Sequence, residues 1–164
     1  MAKDKTPVTP AVRFLREAGV AFLPHAYAYE EKGGTRVAAR ELGVEEHRVI
    51  KTLIMADEHG APLVVLMHGD REVSTKTLAR TLGVRSVHPV DPKEALRLTG
   101  YQVGGISPFG TRQKLPVYVE KTILDLPRLI INGGRRGLLL ELDPAELVRT
   151  LAPVPVEAAR ESEV

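Results

Sequence analysis

Three times along this chain a residue able to cap a helix stands directly before a proline and an amphipathic stretch: Thr9-Pro10 before AVRFLREA, Asp91-Pro92 before KEALRLT, and Asp143-Pro144 before AELVRTL. The capping side chain accepts from amides of the first turn. Proline, which has no amide and a preset φ, suits the first helical position. Gly19, Gly100 and Pro153 close these segments. Two further short helices are expected over residues 35–42 and 74–82, ended by Gly43 and Gly83. Their tails, ARELGV and ARTLGV, resemble each other over too short a span to define a repeat. This punctuation confines the helices to short segments and leaves the intervening apolar runs to build the rest.

Those runs are AFLPHAYAY, RVIKTLIMA, PLVVLMHG, LPVYVE, RLIIN and GLLLEL, rich in the aliphatic and β-branched residues that strands favour. DEHGAP between the second and third reads as a hairpin turn, and NGGRR between the last two reads as another, so part of the sheet is antiparallel. A mixed α/β fold follows. With 164 residues, 43% of them hydrophobic, the chain is long enough to bury a real core, and one domain over residues 1–164 is expected. Loose ends are expected before Thr9 and after about Val156.

No apolar run approaches the length of a membrane span, and MAKDKTPVTP lacks the apolar core of a secretory signal, so a cytoplasmic location is expected. The chain has no cysteine, which excludes disulfides, a thiol nucleophile and thiolate metal ligation by its own side chains. Any thiol in its chemistry must come from a partner. Net charge is only +2, while the sequence pI near 9.0 is compatible with a phosphate-bearing partner. Arg112 and Lys114 follow one glycine-rich stretch, and Arg135 and Arg136 follow the pair Gly133-Gly134, so two loops combine open backbone with cationic side chains.

The first of those stretches, VGGISPFG, is the least ordinary in the chain. Gly104 and Gly105 give access to backbone angles closed to other residues and let a ligand approach the chain, and Pro108 stiffens the backbone after them. Two neighbouring backbone amides there could stabilise a developing oxyanion, as ester or amide chemistry requires. The stretch fits neither the GxGxxG nor the GxxxxGK[ST] phosphate loop. Lys51 is a charge inside an otherwise apolar strand, sharing a face with Val49, Leu53 and Met55. It either lies along a sheet edge with its ammonium in water, or points into a polar cleft where it can orient a carbonyl, phosphate or ribose oxygen. Tyr27 and Tyr29 alternate with alanines and share a strand face.

The familiar catalytic sets do not assemble. Ser107 is not in a GxSxG elbow, and His25, His47, His59, His68 and His88 show no HExxH or other ligand spacing, so neither a metal nor another cofactor is expected.

Lys51-Thr52 inside a strand, then TGYQVGGISPFG, then INGGRRGLLLEL, in this order, resemble the YbaK/ProX family of aminoacyl-tRNA editing domains, and within it the bacterial Cys-tRNA(Pro) deacylases. The similarity runs from TPAVRFL to about Leu151. It implies a compact α/β domain whose mixed, partly barrel-like sheet is flanked by short helices, with a cleft for the 3′ end of a mischarged tRNA. It further implies tRNA(Pro) as the carrier, prolyl-tRNA synthetase as a partner, and Lys51 as the residue central to activity. Thr52, Tyr27, Ile106, Ser107, Pro108, Asn132, Gly133 and Gly134 would border the substrate, and Gly104 and Gly105 would position the aminoacyl carbonyl. Arg112, Lys114, Arg135 and Arg136 are the candidate tRNA contacts. In the cysteine branch the substrate's own thiol is thought to attack its ester carbonyl, giving a cyclic thiolactone; other branches are read as using a positioned water. Cysteine is the first candidate for the amino acid removed and alanine the second. The chain departs from the cysteine branch at Gly34, Asn132 and Leu139, where an aromatic residue nearby, a serine and an aspartate are often found. Two other functions stand beside this one: a non-catalytic protein of the same fold binding tRNA ends or the synthetase, and an esterase acting on small esters.

Overall fold

All five punctuated helices form within a residue of their expected limits. The structure, a computed structural model describing residues 6–161, contains α1 (Pro10–Glu17), α2 (Gly34–Leu42), α3 (Thr75–Leu82), α4 (Pro92–Thr99) and α5 (Pro144–Leu151). The side chains of Thr9, Ser74, Asp91 and Asp143 accept from first-turn amides of α1, α3, α4 and α5. Helix α2 has no side-chain cap. It begins beside Gly33, where a Cβ would stand 2.6 Å from the Val37 side chain and 2.9 Å from the Glu30 carbonyl oxygen.

The strands are β1 (Leu23–Ala26), β2 (Val49–Asp57), β3 (Pro62–His68), β4 (Arg71–Val73), β5 (Val87–Pro89), β6 (Val117–Glu120), β7 (Leu129–Asn132), β8 (Leu138–Leu142), β9 (Val154–Val156) and β10 (Ala159–Glu161). They form a mixed sheet in the order β1-β8-β7-β2-β3-β6-β9, with β5 pairing an end of β2, and a separate β4–β10 ribbon. Both expected hairpins are present as the antiparallel pairs β2–β3 and β7–β8. The first apolar run makes a shorter strand than expected, so Tyr27 and Tyr29 lie beyond its end. The chain end also departs from expectation: residues 159–161 form β10, antiparallel to β4. Residues 1–5 and 162–164 lie outside the described region.

Alternation along β2 serves two cores. Ile50 and Ile54 enter one with α1, α4 and α5. Met55 enters the other with Val65, Met67 and Leu78 of α3. A third cluster joins Ala38 and Ala39 of α2 to Val49, Ile130 and Leu139. Helices on both faces therefore fix the sheet. No helix among the described residues is long and apolar enough to cross a membrane.

One edge of β2 is paired with β3 from Ile50 to Ala56. The other is paired only at its ends, by β7 at Val49 and Ile50, running parallel, and by β5 at Met55 to Asp57, running antiparallel. Between them the sheet is open.

Thr9 ties this frame to the loop after β7: its hydroxyl accepts from the Val12 amide at 3.0 Å and donates to the Gly133 carbonyl at 2.6 Å. Thr9→Ala is expected to cost about 1–2 kcal/mol, the upper half of the range for helix caps, and Thr9→Ser to restore most of it; urea denaturation of the three proteins measures both.

Candidate functional site

The opening in the sheet is the floor of a cleft of about 950 Å³, near the top of the range of roughly 300–1,000 Å³ for small-molecule sites. In an antiparallel strand the N–H and C=O of one residue face the same edge, and residues alternate. The Ile54 carbonyl accepts from the Val90 amide on the β5 side at 3.1 Å, so Thr52, two residues away, turns its main-chain groups to the same edge, into the gap. Its hydroxyl is also buried and has no hydrogen-bond partner within the described protein. Such an orphaned group costs about 1–3 kcal/mol. It marks a place where a polar ligand atom would be matched.

Lys51, the preceding residue, points to the opposite face. Its ammonium is half-buried and donates to the Arg71 carbonyl at 2.6 Å. Burial pushes its pKa below the ordinary lysine value, while Glu46, Glu72 and Asp70 pull it back up. The lysine is therefore neither a solvated edge charge nor locked into an ion pair. It is an ammonium held by one carbonyl inside a cleft.

Tyr27, Thr52, Gly104, Ile106, Asn132 and Arg136 line the same cleft. So do Gly34 and Leu139, two of the positions departing from the cysteine branch; the third, Asn132, is already among them. The Tyr27 hydroxyl is shifted to a higher pKa, chiefly by burial and then by Tyr29. Asn132 staples the two glycine loops together: its Nδ2 donates to the Gly104 carbonyl at 3.0 Å, while its Oδ1 accepts from the Gly134 amide at 2.7 Å and the Arg135 amide at 3.2 Å.

The expected loop roles divide. Gly104, at φ +90°, faces Tyr29, whose hydroxyl would be 2.6 Å from an added Cβ. Gly105 does not present a free amide to the cleft, because its N–H donates to the Gln102 carbonyl at 2.8 Å. A Cβ there would meet the Arg136 amide nitrogen at 2.8 Å, so Gly105 serves the contact between the loops. Ser107 and Pro108 turn inward: the Ser107 hydroxyl is fully buried and accepts from the Phe109 amide at 3.1 Å. Phe109 in turn stacks on Phe14. Gly133 is buried against Leu138. Gly134, Arg135 and Arg136 border a smaller depression beside the cleft. Arg112 and Lys114 are exposed and do not line the cleft; the Arg112 side chain lies instead against Gly100, which borders that depression.

Two contributors, Tyr29 and Thr35, lie outside the expected set of site residues. Tyr29 carries the Arg136 guanidinium 5.1 Å from its ring centroid. Thr35, on α2, donates to Glu46 at 2.7 Å and shapes the wall near Lys51. Neither stands in a motif, and only the fold brings them in. His47, His68 and Asp70 cluster behind the site. Both His68 ring nitrogens are engaged, Nδ1 with the His47 carbonyl at 2.7 Å and Nε2 with the Thr122 hydroxyl at 2.7 Å, so a metal at this cluster would have to displace one of these bonds.

Residues 30–150 match the family pattern of the aminoacyl-tRNA editing domain. EbsC of Enterococcus faecalis, which bears the name of a Cys-tRNA(Pro)/Cys-tRNA(Cys) deacylase, is 31% identical over 150 residues, 90% of this chain and 92% of that protein. A proline–tRNA ligase of Thermodesulfovibrio yellowstonii is 32% identical over 114 residues, 70% of this chain but 18% of the ligase. Among solved structures, the hypothetical protein APE2540 superposes with a TM-score of 0.84 at 26% identity, covering 93% of this chain and 100% of that one. A protein described as a trans-editing enzyme for prolyl tRNA synthetase shares the fold, with a TM-score of 0.79 at 22% identity over 94% of this chain and 99% of its own.

Two outcomes are expected from this geometry. Thr52→Val removes an orphaned hydroxyl at constant shape, so the stability is expected to hold or to rise by up to about 1–3 kcal/mol. Calorimetry of the two proteins checks this. For His68, burial lowers the pKa below its usual 6.5; as pH falls through about 6.5 the unfolded chain takes up a proton that the folded one resists, so stability declines on acidification until the folded pKa is passed. Melting curves between pH 7 and pH 5 should show that decline, and His68→Gln, which cannot titrate, should flatten it.

Proposed function

The chain belongs to the aminoacyl-tRNA editing domain family, and on that premise we propose that it is a trans-acting deacylase that removes a mischarged amino acid from tRNA(Pro), with cysteine the first candidate and alanine the second. The observation that carries this assignment is the pairing, on consecutive residues, of a half-buried ammonium with an orphaned hydroxyl at an opening in the sheet. An ester carbonyl entering the gap meets Thr52 there, and the ammonium of Lys51, which spends one of its three N–H donors on the Arg71 carbonyl, is the positive charge available to the developing oxyanion. One such donor is worth about 3–4 kcal/mol.

Neither a serine nor a cysteine lines the cleft. For a cysteinyl substrate the thiol sulfur attacks its own carbonyl carbon, the bond to the ribose oxygen breaks, and the thiol proton passes to that oxygen, leaving a thiolactone and free tRNA. Holding sulfur and carbon in attack geometry supplies up to about 7–11 kcal/mol. For an alanyl substrate a water takes the place of the thiol. Leu139 gives the cleft an apolar wall near Ala38 and Val49, which admits either small side chain. Arg135 and Arg136 are exposed on the second glycine loop, which supports reading them as contacts to phosphates of the acceptor end, and the likeness to a segment of a proline–tRNA ligase supports prolyl-tRNA synthetase as the partner that delivers the substrate.

Single-turnover deacylation of Cys-, Ala-, Ser- and Pro-charged tRNA(Pro) tests the proposal. Loss of Cys or Ala with Pro spared is expected, and Lys51→Ala should slow it by roughly 10²–10³-fold without unfolding the protein. No turnover of any substrate, with tRNA or synthetase binding retained, would make this a binding protein and Lys51 a recognition residue.

A further inference from the structure

The partner of Lys51 belongs to the main chain, so its position depends on whatever holds that segment of chain. The Arg71 carbonyl lies at the start of β4, a strand of three residues. Its ladder partner is the equally short β10, pairing Ala159 with Val73, Arg160 with Glu72 and Glu161 with Arg71. Main-chain alternation sends the groups of Glu72 and Ser74 toward β10, where the Ser74 amide donates to the Ala158 carbonyl at 2.7 Å. The same alternation turns the Arg71 carbonyl the other way, onto Lys51.

The approach to β10 is pinned from behind. Glu120, the last residue of β6, is 3% exposed, and a carboxyl that deeply placed requires partners. Its Oε1 accepts from the Ala158 amide at 2.8 Å and the Ala159 amide at 3.0 Å. Its Oε2 lies 3.3 Å from the Thr122 hydroxyl, which also bonds His68. Glu120 does not line the cleft. Ala159 gives its amide to Glu120 and, by the alternation, nothing to β4, so one of the two bonds of this latch can be removed without removing a β4–β10 bond.

We infer that Glu120 is a positioning residue for Lys51, acting through the Ala158 and Ala159 amides, β10 and the Arg71 carbonyl. The chain's last described segment thereby becomes part of the machinery that aims the ammonium. This inference rests on Lys51 being the group that meets the substrate ester.

The test uses the full chain in four forms: Glu120→Ala, Glu120→Gln, Ala159→Pro, and Glu120→Ala combined with Ala159→Pro. Deacylation is read as kcat and KM, and the Lys51 side chain is titrated by NMR in lysine-labelled protein. Glu120→Ala and Ala159→Pro should each lower kcat on the order of tenfold, inside the ~100-fold scale of a ~1 Å misplacement, with KM unchanged. The double variant should lose no more than either single one. Glu120→Gln, whose amide oxygen can accept both N–H groups, should retain the wild-type rate. In Ala159→Pro, looser packing should move the Lys51 midpoint up toward the ordinary lysine value. An unchanged kcat in folded Ala159→Pro, equal losses in Glu120→Gln and Glu120→Ala, or multiplicative losses in the double variant would each overturn the inference. Should Glu120→Ala fail to fold, Ala159→Pro and Glu120→Gln still decide. If wild-type protein deacylates none of the charged tRNAs, the deacylase assignment fails on its own, and the latch is then decided by the Lys51 titration in Ala159→Pro: a midpoint that does not move refutes it.

Discussion

The candidate site depends on an interruption in a sheet. β2 is joined to β3 along one edge, but its other edge is shared between β7, which runs with it, and β5, which runs against it. Two neighbours of opposite sense cannot continue one another, so a space remains where they fail to meet. A gap in a sheet would ordinarily be closed by strand movement. Here Ile50 and Ile54 on one face and Met55 on the other are each locked into separate cores, and the strand cannot shift to close it.

Around that gap the two glycine loops act as a single wall. Asn132 joins them by its side-chain amide, Arg136 reaches back to the Val103 carbonyl at 3.0 Å, and Gly105 lets the two backbones touch where any Cβ would separate them. Phe109 and Ser107 anchor the far half of the first loop in the core. The half that faces the cleft is therefore held from three sides. Its shape exists before a substrate arrives, which is the condition under which aimed dipoles aid a transition state most.

Much of this architecture is legible in the chain. Proline, threonine, serine and aspartate mark helix starts by local hydrogen bonding, which needs no knowledge of the fold, and the long apolar strands announce themselves by composition. Lys51 stands out because a charge in an apolar strand needs a reason. β4, β5, β9 and β10 are not legible, since three residues carry too little periodicity and their pairing is decided by distant partners. The inward turn of Ser107 and Pro108 and the internal bond of the Gly105 amide are hidden for a related reason: a glycine-rich string reveals that the backbone is unusual, but not which of its atoms face the cleft. Glu120 looks like an ordinary strand-end acid, and only tertiary contact buries it.

The exposed edge of Thr52 also bears on how such a site can change over time. On the proposed deacylase reading, Leu139, an apolar side chain of the cleft wall that makes no hydrogen bond of its own, is a position where substitution would shift the preference for one amino acid over another. The amide and carbonyl that Thr52 turns into the gap are set by strand order, and every residue except proline carries both. On that reading the grip on the invariant part of a substrate would be written in topology, and its selectivity in residues. The two can drift at different rates, so one architecture can be retuned to new amino acids without rebuilding the place where they are held.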